Sequence, residues 1–183
     1  MKNDSGRFDV KIVRRINSKK KRDFRVIFPL DGVKNSIRPI LLKDATQVIL
    51  GKLGDGLIKK ADYILALDRG GLVLGLGLSL AKNIPLKIAW KHNLDLGNKI
   101  ALTDPYIPNE PLYLYGAKKD DRVILVDDEI YSGDTMLITV KDLANKGIYV
   151  VAAIAIVECL NFNAREKLEK AGCKLVTYKT YKL

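Results

Sequence analysis

The segment Val123-Ile124-Leu125-Val126-Asp127-Asp128-Glu129-Ile130-Tyr131-Ser132-Gly133-Asp134-Thr135-Met136 constrains this chain more than any other. Four β-formers run straight into an acidic triplet, then into a Ser-Gly-Asp-Thr turn and a helix-compatible stretch. A continuous apolar run bounded by turn signals reads as a strand buried on both faces. Such a strand carries Asp127 and Asp128 to its C-terminal end, where sugar hydroxyls can donate to their oxygens from two directions. The turn then sits at a helix N-terminus, whose unpaired N–H groups and dipole stabilise a phosphate. A plain acidic N-cap would explain one of these residues. It does not require two adjacent acids followed by the turn. The segment therefore describes a pocket for a ribose 5-phosphate, with Asp127 and Asp128 on the 2- and 3-hydroxyls and Ser132, Gly133, Asp134 and Thr135 on the phosphate.

Strand-like and helix-like stretches alternate through the rest of the chain. Phe8 to Ile12 and Phe24 to Phe28 alternate apolar with polar and predict a hairpin, with Lys19-Lys20-Lys21-Arg22 as its solvated turn. Asp44 is read as the N-cap of a helix running through Ile58, and Ala61 to Leu67 as a buried strand ending at Asp68-Arg69-Gly70-Gly71. A helix over Leu72 to Asn83 and a strand over Pro85 to Trp90 follow. Gly75-Leu76-Gly77 falls inside that helix, so it permits close packing and is no dinucleotide fingerprint. Residues 91 to 111 read as a long polar connection and hence a functional flap, with Leu112 to Tyr115 pairing back as a short strand. Beyond the motif come a helix to Ala144, a strand from Val150 to Glu158, a helix from Ala164 to Ala171 and a strand from Lys174 to Tyr178. Apolar strands separated by helices predict an α/β fold with a parallel twisted sheet flanked by helices. In such sheets ligands bind beyond the C-terminal strand ends, so Asp68 and Asp127 are expected to face one crevice.

A chain of 183 residues suits one domain with a small appendage, here residues 1–40 as a basic arm and hood and 41–183 as the core. No apolar run approaches the ~20 residues of a membrane span, and residues 1 to 7 lack the apolar stretch of a signal peptide. Cys159 and Cys173 have no neighbouring His or Cys and read as reduced, buried thiols of a cytoplasmic protein. The formal charge of +11 is concentrated: residues 1 to 25 hold ten Lys or Arg against three Asp. Such an arm can contact nucleic acid or simply be solvated, and a polyanionic substrate favours the same sign.

Taken together, these residues resemble the type I phosphoribosyltransferases. Their phosphoribosyl pyrophosphate (PRPP) motif is similar to residues 123 to 136, and Asp68-Arg69-Gly70-Gly71 resembles their pyrophosphate loop. Phe28-Pro29-Leu30-Asp31-Gly32-Val33 with Arg38 to Asp44 resembles the adenine enzymes and their archaeal hypoxanthine-using cousins. The resemblance covers roughly residues 26 to 183. It implies PRPP and a purine as partners, Mg2+ held mainly by PRPP, and a homodimer. Asp68, Arg69, Gly70, Gly71 and Tyr131 join the motif as PRPP-binding residues. Val33 and Lys34 would cover the base, and Lys91 with His92 would neutralise the leaving pyrophosphate.

The chain also departs from that pattern. Tyr131 stands where 6-oxopurine enzymes place an aspartate base. Pro105 or Tyr106 stands where adenine enzymes carry a flap glutamate, with Asp104 as the nearest catalytic acid and Glu110 beyond it. Asp134 stands where a small residue is usual, and its carboxylate is expected to point away from the phosphate. The expectation is an adenine-type purine phosphoribosyltransferase. A PRPP-sensing regulator using the basic arm on DNA, or an enzyme for another base such as orotate or xanthine, stands beside it.

Overall fold

The computed structural model describes residues 8–16, 22–107 and 109–183. Nine strands and five α-helices make up these segments, of which five strands form the central sheet. Those five are β3 (Tyr63–Leu67), β4 (Leu86–Ala89), β7 (Arg122–Ile130), β8 (Tyr149–Cys159) and β9 (Leu175–Tyr181), ordered β4-β3-β7-β8-β9 and all parallel. Their sequences are apolar on both faces because both faces are covered. Ile64, Ile124, Val126, Ile154 and Val176 pack with Ala45, Ile49, Leu74 and Leu78 of helices α1 (Pro39–Leu53) and α3 (Leu72–Lys82). Leu65, Leu125, Ala153 and Leu175 pack with Met136, Leu143 and Leu168 of α4 (Asp134–Ala144) and α5 (Ala164–Lys170) on the other side. Each fully buried aliphatic side chain of this kind contributes roughly 1.5–3 kcal/mol.

From β3 the chain steps outward to β4 at one edge, then returns to the other side of β3 to place β7. The strand order thus reverses between β3 and β7, which opens a crevice at their carboxyl ends. The loops that the sequence singled out, Asp68–Gly71 and Tyr131–Thr135, flank this crevice.

Two further two-stranded sheets shape its walls. β1 (Lys11–Arg14) and β2 (Phe24–Ile27) form the expected N-terminal antiparallel hairpin. Val26, Phe28 and Leu30 are buried in the same cluster as α1 and the sheet. β5 (Lys99–Leu102) and β6 (Leu112–Tyr115) pair antiparallel, so the flap contains a strand where a continuous irregular connection was expected. Four residues, Lys-Ile-Ala-Leu, are too few to show a period.

Helix α1 also corrects the expectation for Asp44. It begins five residues earlier, at Pro39, whose fixed φ suits the first turn. Asp44 lies inside the helix and accepts a hydrogen bond from the Tyr178 hydroxyl at 2.5 Å. The helix ends at Gly54, and a separate turn, α2 (Asp55–Ile58), carries Leu57 and Ile58. Inside α3, a Cβ on Gly75 would lie 3.1 Å from the Ala66 methyl and one on Gly77 would lie 2.7 Å from Thr46 Oγ1. These glycines bring α3 onto the sheet and α1.

Candidate active site

Strand β7 supplies the centre of the site. Val123 to Val126 are buried, and the strand continues through the acids to Ile130. The loop after β3 lies directly on its end. A Cβ at Gly70 would sit 2.3 Å from Asp128 Oδ1 and 2.7 Å from Asp127 Oδ1, and one at Gly71 would sit 2.1 Å from the Val126 carbonyl oxygen. Gly71 has ordinary helical torsions, φ −69° and ψ −14°. Space against β7, not backbone freedom, is therefore what these positions demand. The peptide between Asp68 and Arg69 is cis. Arg69 is exposed at the loop's tip.

The two aspartates are chemically unequal to surface acids. Burial pushes Asp127 well above the usual carboxylate range, and the adjacent Asp128 pushes it further. Asp128 is raised by burial and then by Glu129. The Asp128 N–H donates to Asp127 Oδ1 at 2.9 Å. Glu129, the third acid, has another role. It accepts both Arg22 guanidinium nitrogens, at 2.7 and 2.9 Å, and the Tyr181 hydroxyl at 2.5 Å.

That ion pair corrects the reading of Arg22 as a solvated turn charge. Its side chain is 23 % exposed and lies 5.0 Å from the Phe24 ring and 4.8 Å from the Tyr131 ring. Lys19, Lys20 and Lys21 lie outside the described residues. Tyr131 meets Phe24 edge-on at 5.6 Å and Phe162 at 4.4 Å. Hairpin and motif thus meet through an aromatic and guanidinium contact, which opens on a cavity of about 880 Å³. Arg15, Asp127, Glu129 and the turn from Tyr131 to Met136 also line it.

The turn ends where α4 begins. Gly133 has φ 80°, and a Cβ there would lie 2.8 Å from the Ala164 methyl, so both torsion and space require glycine. The first-turn amides of α4 have no acceptor within the helix. Around them, Lys167 Nζ donates to the Ser132 carbonyl at 2.9 Å and to Asp134 Oδ1 at 3.0 Å.

Not every residue singled out in the sequence reaches this cavity. Val33 and Lys34 are exposed and absent from its wall; the Val33 N–H donates to Asp31 Oδ1 instead. Lys91 and His92 are exposed at the root of the flap, also outside the wall, and Asp68, Arg69, Gly70, Gly71 and Asp128 do not line it either. Asp104 does line it, yet Oδ1 accepts the Tyr106 and Ile107 N–H groups, at 2.8 and 3.3 Å, and shapes the flap turn. Sequence reasoning missed Arg15, Arg22, Phe24, Phe162 and Lys167. Phe162 follows β8, so the rule placing ligands beyond strand carboxyl ends could have found it. Lys167 carried no such signal.

A parallel sheet thus carries a carboxylate pair and a glycine turn at a helix N-terminus beside its switch point. No model of a protein family matches the chain. Individual proteins do. The hypoxanthine/guanine phosphoribosyltransferase of Methanosarcina barkeri is 34 % identical over 132 residues, spanning 72 % of this chain and 68 % of that protein. The enzyme of the same name from Ferroglobus placidus is 32 % identical over 151 residues, spanning 81 % and 77 %. Among solved structures, adenine phosphoribosyltransferase of Rhodothermus marinus superposes with a TM-score of 0.72 at 18 % identity over 94 % of each chain. The Trypanosoma brucei enzyme, in complex with AMP, pyrophosphate and ribose-5-phosphate, gives 0.72 at 20 % identity over 93 % of this chain and 76 % of that one. The chain belongs to the type I phosphoribosyltransferase family and is an enzyme.

Proposed function

We propose that this enzyme transfers the ribose 5-phosphate of PRPP to a purine, releasing pyrophosphate and a nucleoside 5-monophosphate. The observation that carries the reading is the convergence of Asp127 and Asp128 on Gly70, beside the glycine turn at the N-terminus of α4. The two carboxylates would accept the ribose hydroxyls. The α4 amides with Ser132, Gly133 and Thr135 would hold the 5-phosphate. Asp68, Arg69, Gly70 and Gly71 would bind the pyrophosphate, Arg69 supplying the charge, with Lys91 reaching in from the flap root. The reaction then needs positioning and charge stabilisation more than covalent chemistry.

Mg2+ fits this donor set. Among the described residues no group of three or more His, Cys, Asp or Glu side chains is arranged to hold a metal. Asp127 and Asp128, which converge on Gly70, offer oxygen alone, which suits a hard cation that keeps phosphate and water as its other ligands. When bound, it would neutralise charge on the leaving pyrophosphate. A homodimer and a hood formed by residues 1–40 belong to the same proposal.

For the base we place a 6-oxopurine first, ahead of the adenine that the Phe-Pro-Leu-Asp-Gly-Val segment implied. The relatives above 30 % identity carry the hypoxanthine/guanine name, whereas the adenine enzymes share the fold at 17–20 %. Arg15 lines the cavity, with its Nε–H on the Phe24 carbonyl at 3.1 Å. A guanidinium matches the adjacent O6 and N7 acceptors of a 6-oxopurine and meets a donor on adenine. Phe24, Tyr131 and Phe162 supply flat apolar surface for either ring.

Pyrophosphate release from PRPP and Mg2+ with hypoxanthine, guanine, adenine, xanthine and orotate, each supplied separately, tests both parts. Turnover is expected with hypoxanthine or guanine, and lost by about 10²-fold or more in Asp128→Asn. Turnover with adenine alone would overturn the base assignment, and normal turnover by Asp128→Asn the ribose assignment.

A further inference from the structure

Helix α5 lies against the phosphate turn, and one of its side chains brings a positive charge there. Ala164 is buried, and a Cβ on Gly133 would come within 2.8 Å of its methyl. Lys167 stands three residues further on, hence on the same face of the helix. Its Nζ donates to the Ser132 carbonyl at 2.9 Å and to Asp134 Oδ1 at 3.0 Å. The side chain lines the cavity beside Ser132, Gly133, Asp134 and Thr135. Asp134 was expected to point away from the turn, but its Oδ2 accepts from the Ser132 and Tyr106 hydroxyls, each at 2.9 Å. Burial acts to raise this carboxyl, yet Lys167 and the two hydroxyls outweigh it and hold the group below the usual carboxylate range. The turn that is to receive an anion therefore carries a fixed negative charge of its own.

Resting on the phosphate reading above, we propose that Lys167 is a specificity-determining residue for the phosphorylated sugar. Its ammonium offsets the Asp134 charge and so lets the turn accept a 5-phosphate. The comparison of effects decides the sign. The amides and dipole at the start of α4 favour an anion only modestly. A bare carboxylate beside the phosphate opposes it by at least as much. With the ammonium on Asp134 Oδ1 the two side chains are neutral together, and the helix end is left to attract. An ammonium also has three N–H groups, of which the contacts to Ser132 and Asp134 use two, so a third can meet a phosphate oxygen. A lysine that only tied α5 to the turn would need its hydrogen bonds and not its charge.

Calorimetric titration of ribose 5-phosphate into wild type, Lys167→Gln, Lys167→Arg and Asp134→Asn, at about 50 and about 500 mM salt, separates charge from support. Lys167→Gln keeps a donor and removes the charge. It should weaken binding about tenfold at low salt and only about threefold at high salt, where the charge left on Asp134 is screened. Lys167→Arg should stay within about threefold of wild type, and Asp134→Asn should tighten binding by about threefold or more. Wild-type affinity in Lys167→Gln overturns the proposal. So does a loss of equal size at both salt concentrations, or one equally large in Lys167→Arg, since either marks a structural tie. Should Lys167→Gln fail to fold, as its thermal melt would show, Asp134→Asn decides alone, and unchanged or weaker binding there overturns the proposal. Absence of ribose 5-phosphate binding in wild type would instead remove the phosphate reading, and this inference with it.

Discussion

Gly70 and Gly71 look interchangeable in the sequence, but the structure separates their tasks. A methyl at Gly70 would strike two carboxylate side chains, which can swing aside, whereas at Gly71 it would strike the Val126 carbonyl, which cannot. Gly70→Ala should therefore fold and lose about 10²-fold in kcat/KM, since small displacements of catalytic groups cost that much. Gly71→Ala should cost about 2 kcal/mol or more of stability, because overpacking against backbone forces the sheet to move. Thermal melts and initial rates on the two variants check the split, and equal behaviour would contradict it. The sequence could name both residues, since glycine pairs after a strand are rare enough to notice. It could not say why they are glycines, because the carboxylates and the carbonyl that exclude a Cβ lie more than fifty residues away in the chain.

Among the elements, the hairpin β1–β2 is placed by the burial of Val26 in the core and by one charged side chain from its turn. Arg22 joins it to β7 through Glu129, while Tyr181 of β9 shares the same carboxylate. Arg22→Lys keeps the charge but loses the two-nitrogen fork and the planar stacking on Phe24 and Tyr131. Its expected effect is a KM for the base raised about five- to tenfold, or ~1 kcal/mol, with the KM for PRPP within twofold of wild type. Initial rates with each substrate varied in turn would show it, and an equal rise in both KM values would speak against a role at the base side. Element types were legible wherever the pattern was long, as in β3, β7, β8, α3 and α4. Boundaries failed where a tertiary partner decided them. Asp44 has the chemistry of an N-cap, yet Pro39 can start the helix sooner and Tyr178 gives Asp44 another use. The strand β5 exists because β6 lies alongside it.

The whole molecule carries the electrostatic consequence of its crevice. Burial raises Asp127 and Asp128 above their ordinary values, so the folded chain holds protons that the unfolded chain releases near pH 4. Linkage then makes the ligand-free protein lose stability as pH rises from about 4 through the raised values. Asp127→Asn removes one of the two charges and should flatten that slope. Its melting temperature is expected to exceed that of wild type by several degrees at pH 8, ~1 kcal/mol being about 2–4 °C for a chain this size. The gap should shrink toward pH 4, and a constant gap across that range would refute the account. Periodicity and local motif chemistry were enough to read a parallel α/β fold and the two loops at its strand ends, including the acid pair and glycine turn that we propose as the ribose phosphate site, because those signals lie within a few consecutive residues. The aromatic and guanidinium wall, the use of Glu129 and the contacts of Asp134 were decided only in three dimensions. Each depends on side chains that approach within hydrogen-bonding or ring-contact distance from separate elements, and no local spacing in a sequence encodes such distances.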